Sequence, residues 1–105
     1  MAQIKPEILK SIREYLDLVK QRGFPVEAAY VFGSYSKGNE NEWSDIDLAI
    51  VSDKFEGIRI LDKEKLLGIS MQTDVRISPL PLIPSDIEDS WFVKYEVVAK
   101  GIRII

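Results

Sequence analysis

The run Ser44-Asp45-Ile46-Asp47-Leu48-Ala49-Ile50-Val51 constrains this chain more than any other stretch. Successive side chains of a strand point to opposite faces, so Asp45 and Asp47 project together while Ile46, Leu48 and Ile50 take the other side. The alternation predicts a strand with an apolar underside and two carboxylates on top. Two like charges held side by side repel, and each is costly to desolvate, so a cation between them is the natural complement. Divalent magnesium suits the position, because it takes hard oxygen ligands, typically one or two carboxylates plus substrate phosphates.

Upstream, the apolar run Ala28 to Phe32 reads as a strand that stops at Gly33-Ser34, and Gly38 closes the turn. Glycine there permits positive φ and close approach of a ligand, while Ser34 offers its hydroxyl and backbone N–H to an anion. The combination predicts a phosphate cradle facing a metal platform. Other phosphate and metal signatures fail. Gly33 to Gly38 has Walker A spacing, but Asn39-Glu40 stands where Lys-Ser/Thr is required, and no G-x-G-x-x-G occurs. An EF-hand fails because Asp45-x-Asp47 runs into Ala49-Ile50 instead of a third oxygen ligand and a glycine.

Two blocks, Gly33-Ser34-Tyr35-Ser36-Lys37-Gly38 and Ser44-Asp45-Ile46-Asp47-Leu48, resemble the nucleotidyltransferase superfamily that includes DNA polymerase β, in particular its minimal nucleotidyltransferases. The resemblance implies an α/β (α+β) fold, a small mixed sheet with flanking helices like the polymerase β palm. It implies transfer of a nucleoside monophosphate, AMP, from ATP to an acceptor. Asp45, Asp47 and a third carboxylate, Asp74, would be catalytic and hold two magnesium ions, while Gly33, Ser34 and Lys37 would bind the nucleotide. Family members commonly carry arginine at the position of Lys37, so the charge is kept and the bidentate fork is lost. The minimal branch is frequently paired with HEPN proteins as toxin and antitoxin, which implies a HEPN-type partner and an antitoxin role. The alternative is a non-catalytic module that neutralises or regulates a partner by binding alone.

Composition narrows the chemistry. At 105 residues, 46% hydrophobic and 30% charged, the chain predicts a single soluble domain able to bury a modest core without disulfides. It has no cysteine and no histidine, which excludes thiol nucleophiles, Ser-His-Asp chemistry and Cys/His zinc sites. Catalysis would have to rest on carboxylates, lysine, hydroxyls and a metal. A net charge of −3 argues against general nucleic-acid binding. No leader and no apolar run long enough to span a bilayer is visible, and a cytoplasmic location is expected, with a homo-oligomer left open.

Along the chain, Ile4, Ile8, Ile12, Leu16 and Val19 predict an amphipathic helix over 4–21, with Pro6 in its first turn and Gly23 as its stop. Trp43, in the polar linker Asn39 to Trp43, reads as a surface aromatic, with stacking on a nucleobase as the alternative. Ile58, Leu61 and Leu66 predict a short helix between Gly57 and Gly68. Thr73 to Ile77 alternates and predicts a third strand whose one face carries Asp74 and Arg76, with Arg76 neutralising Asp74 or holding a phosphate. Pro79, Pro81 and Pro84 predict an extended connection. Ser85-Asp86-Ile87-Glu88 reads as a capping box for a last helix ending at Gly101, whose Ile87, Trp91, Tyr95 and Val98 face, with Phe92 adjacent, is expected in the core. The tail Ile102 to Ile105 is expected to pair at an edge or pack on a partner.

Overall fold

Ile46, Leu48 and Ile50 are fully buried, as the alternation requires, and Ala49 and Val51 are buried on the opposite face. This central strand is therefore covered on both sides for most of its length. The computed structural model describes residues 4–38 and 44–105. In it β1 (Ala28–Phe32), β2 (Ile46–Val51), β3 (Ile77–Leu82) and β4 (Ile102–Arg103) form one mixed sheet in the order β3-β2-β1-β4. β1 pairs antiparallel with β2 and β4, whereas β3 runs parallel to β2.

One face of the sheet packs on α1 (Pro6–Gln21) and α3 (Arg59–Ser70). On α1 the expected stripe is the buried one: Ile8, Ile12, Leu16 and Val19, with Tyr15 beside them. The Tyr15 hydroxyl donates to the Leu66 carbonyl at 2.9 Å and ties α1 to α3. The other face carries a smaller core of Tyr30, Ala49, Val51, Leu82, Val93 and Val97, closed by the C-terminal helices. No helix among the described residues is long and apolar enough to cross a membrane.

The third strand differs from the expectation over Thr73 to Ile77. Residues 74–76 form a turn, closed by Ile77 N–H donating to the Asp74 carbonyl, and the strand runs on through the proline segment. The carbonyls of Arg76 and Leu82 accept bonds from Ile46 and Ser52, so the even-numbered residues of β3 face β2. Pro79 and Pro81 fall on odd positions, where a missing N–H points to the open edge of the sheet and costs no ladder bond.

The helices depart from expectation in two places. α3 continues through Gly68 to Ser70, and Ile58 and Leu61 are exposed while Asp62, Leu66 and Ile69 are buried. The buried Asp62 carboxylate accepts from the Glu56 and Gly57 backbone N–H groups, which satisfies both its oxygens. The last helix is two pieces, α4 (Asp86–Asp89) and α5 (Val93–Ala99), separated by an extended Ser90. Ser85 makes no side-chain cap; the Asp86 carboxylate instead accepts from Ile83 N–H at 2.9 Å. α5 is π-wound, and the break plus the wider winding shift the helix phase so that Val93 and Val97 enter the core. Trp91, Phe92 and Tyr95 are left 68%, 45% and 45% exposed, which corrects the expectation that they form a core face.

Gly101 stands where α5 meets the sheet. A Cβ there would overlap the Val97 carbonyl and lie 3.0 Å from the Val31 carbonyl, so only glycine lets the chain turn from helix into β4.

Candidate nucleotide-binding site

β1 ends at Phe32, and the chain turns at Gly33 with φ 71° and ψ −144°, a backbone region that residues with a Cβ rarely enter. Gly33 leads into α2 (Ser34–Lys37), and Gly38 ends it in the left-handed conformation. Phe32 is the register partner of Asp47 across the antiparallel β1/β2 ladder. The turn and the carboxylate are consequently neighbours, to the point that a Cβ on Gly33 would overlap Asp47 Oδ2 and lie 3.2 Å from its Cγ. The glycine is needed twice, for its φ and for the room the carboxylate occupies.

Asp45 precedes β2 and is exposed, while Asp47 is half-buried within it. Burial raises the Asp47 carboxyl above its ordinary value, the charge of Asp45 raises it further, and Lys63 opposes both. A half-buried carboxylate with a second carboxylate nearby is expected to behave in this way. Such a pair is also the donor chemistry that a hard divalent ion satisfies, since such an ion would relieve the repulsion that keeps Asp47 proton-hungry. The pair fits one such ion.

Asp74 is not brought to that pair. In the turn before β3, its carboxylate accepts from Arg76 Nε at 3.0 Å, from Arg76 Nη2 at 2.7 Å and from the Arg76 backbone N–H at 3.0 Å. The Arg76 guanidinium holds Asp74 below the usual carboxylate range, against the effect of burial, and Ser11 of α1 adds to the lowering. Of the two roles considered for Arg76, neutralising Asp74 is the one observed. Among the described residues no three acidic side chains converge where a metal could sit. The strand position beside Asp47 belongs to Ser78, its register partner on β3.

Ser34 begins α2 and is partly exposed beside the turn. Lys37 ends α2, and its side chain lies outside the described part of the structure, as do Trp43 and the rest of the linker 39–43. Two features of this site were not found from the sequence. Ser78 escapes the sequence pattern because the alternation of Thr73 to Ile77 points to a strand that ends where β3 begins. Phe92 was assigned to the core, yet its ring meets Phe32 edge-on with centroids 6.1 Å apart.

A crystal structure of a Sulfolobus solfataricus protein provisionally described as a nucleotidyltransferase superposes with a TM-score of 0.64 at 21% identity, covering 100% of this chain and 99% of that one. At that identity the likeness speaks for the fold. No curated protein matches the chain. The polymerase β nucleotidyltransferase family model matches residues 10–105, a span that takes in the Gly33 turn, the Asp45 and Asp47 strand and both sheet edges. Members of this family generally use divalent metals. With the turn, the carboxylate pair and the sheet all inside the matched span, the chain belongs to the polymerase β nucleotidyltransferase family.

Proposed function

We propose that this protein transfers AMP from ATP to an acceptor with release of pyrophosphate, in the cytoplasm, and that the acceptor is a HEPN-type partner protein it restrains as an antitoxin. The observation that carries the reading is the packing of the Asp47 carboxylate against the Gly33 turn. Phosphates lying along Gly33 and the Ser34 hydroxyl would be within reach of whatever cation the carboxylates hold. Asp45 and Asp47 would hold magnesium, which supplies positive charge to the triphosphate and the departing pyrophosphate. Gly33 and Ser34 orient the phosphate chain, and Lys37 lends it a further positive charge. The family resemblance supports nucleotidyl transfer in general; AMP, the HEPN partner and the antitoxin role are inferred from the minimal branch.

A specific observation favours a second reading. Asp74, expected to complete a second magnesium site, is bound through three hydrogen bonds to Arg76. A chain with only Asp45 and Asp47 presented would bind nucleotide and metal, and could restrain its partner by complex formation alone. The exposed Trp91–Tyr95 pair, with ring centroids 5.4 Å apart, and the exposed Ile60 and Leu67 of α3 with Met71 just after it are surfaces such a partner would cover.

Both readings meet in one experiment. The purified protein is incubated with magnesium and each labelled NTP, with and without a co-expressed HEPN partner, alongside Asp47→Asn and Asp74→Ala. Label from ATP on the partner, lost with Asp47→Asn, supports the transferase. Tight partner binding retained by both variants, without label transfer, favours the binding module.

A further inference from the structure

The face that carries Asp47 also carries an aromatic wall. Phe32 sits immediately before Gly33 and pairs in register with Asp47, so the Phe32 ring stands beside the carboxylate on the same side of the sheet. Phe92 meets Phe32 at a ring centroid distance of 6.1 Å and an interplanar angle of 83°. The contact with Phe32 is edge-to-face, and Phe92 remains 45% exposed although Val93 beside it is 0%. The extended backbone at Ser90 is what swings Phe92 to this position. Trp91 and Tyr95 pair with each other on the outer side of the helix and take no part in the wall.

Resting on the nucleotidyltransferase reading above, we propose that Phe92, braced by Phe32, is the surface on which the base of the bound nucleoside triphosphate stacks. A triphosphate anchored at the Gly33 turn carries its base a few bonds away, and among the described residues Phe92, in contact with the Phe32 that precedes that turn, is an exposed, apolar and uncharged ring on that face. Stacking is tolerant of sequence because every base has a π-face, so the wall supplies affinity for the base and little choice among bases. A purine offers more stacking area than a pyrimidine, so ATP and GTP bind more tightly than CTP.

The test is titration calorimetry of the full chain in magnesium with ATP, CTP and inorganic tripolyphosphate, comparing wild type, Phe92→Leu and Asp47→Asn. Leucine keeps an apolar side chain against Phe32 but has no ring face. Phe92→Leu is expected to weaken ATP about tenfold, from the usual size of base–aromatic stacking, and to leave tripolyphosphate unchanged. Unchanged tripolyphosphate affinity also shows that the variant is folded. Equal ATP affinity in wild type and Phe92→Leu overturns the wall, as does an equal loss for ATP and tripolyphosphate, or wild-type binding of ATP no tighter than tripolyphosphate. Binding of ATP that is insensitive to Asp47→Asn instead counts against the nucleotidyltransferase reading and leaves the wall to be judged on Phe92→Leu.

Discussion

Replacing Asp47 by asparagine should stabilise the metal-free protein. Asp45 stands two residues before Asp47, just ahead of β2, and two residues of extended chain span about 6.6 Å. Two unit charges at that separation repel by roughly 2.5 kcal/mol at an effective dielectric of 20 and by roughly 0.6 kcal/mol in water. Asp47 is half-exposed and Asp45 exposed, so solvent screening brings the net penalty toward the lower figure, and partial burial of Asp47 adds to it. A gain of about 1 kcal/mol for Asp47→Asn corresponds to about 5 °C in Tm for a domain near this size.

The pH dependence has a fixed sign. The folded pKa of Asp47 is raised, so the folded chain holds more protons than the unfolded one between the ordinary aspartate value and the raised one. Wild-type stability therefore falls as pH rises through that window, and the advantage of the variant appears across it and is constant above. Added magnesium should stabilise wild type by mass action and leave the variant nearly unmoved, closing or reversing the gap. The assay is thermal unfolding followed by far-UV circular dichroism at low ionic strength, with chelator or magnesium, from pH 3.5 to 8. An Asp47→Asn protein no more stable than wild type in chelator at pH 7, or a gap that persists unchanged at the acid end, would refute the argument that these carboxylates repel.

Gly33→Ala should cost about 1–3 kcal/mol from its positive φ and displace the Asp47 carboxylate, so both the melting temperature and tripolyphosphate affinity should fall; unchanged values would mean the turn is more pliable than described. Arg76→Ala should remove the partner that lowers Asp74. Wild-type stability from this pair is present above the ordinary aspartate pKa and lost as pH falls through the depressed one, so the variant's deficit in urea denaturation should shrink toward acid pH. Tyr15, pushed up to about 12 by burial, should keep its proton until the fold fails in alkali. Stability should fall as pH rises from the ordinary tyrosine value toward that number, and Tyr15→Phe, costing about 1 kcal/mol at neutral pH from the lost bond to Leu66, should remove that alkaline slope.

Sequence by itself determined the elements whose patterns are local. The α1 stripe, the β1 and β2 strands and the placement of Asp47 on the face opposite Ile46 and Leu48 follow from periods of 3.6 and 2, and the glycine at position 33 announces a turn that residues with a Cβ rarely make. Tertiary structure decided what depends on neighbours. Prolines at 79 and 81 predict an extended connection, and it becomes β3 because the segment takes the sheet edge, where their missing N–H groups face no partner; with that shift Ser78, not Asp74, comes to stand beside Asp47. Asp74 and Arg76 alternate like strand residues, yet the turn at 74–76 and three hydrogen bonds hold them to each other. The aromatics of the last helix share a face only if that helix is continuous. An extended residue at Ser90 and π-winding after Phe92 change the phase, because packing Val93 and Val97 into the second core outweighs regular helical spacing, and Phe92 is thereby turned toward the carboxylate face.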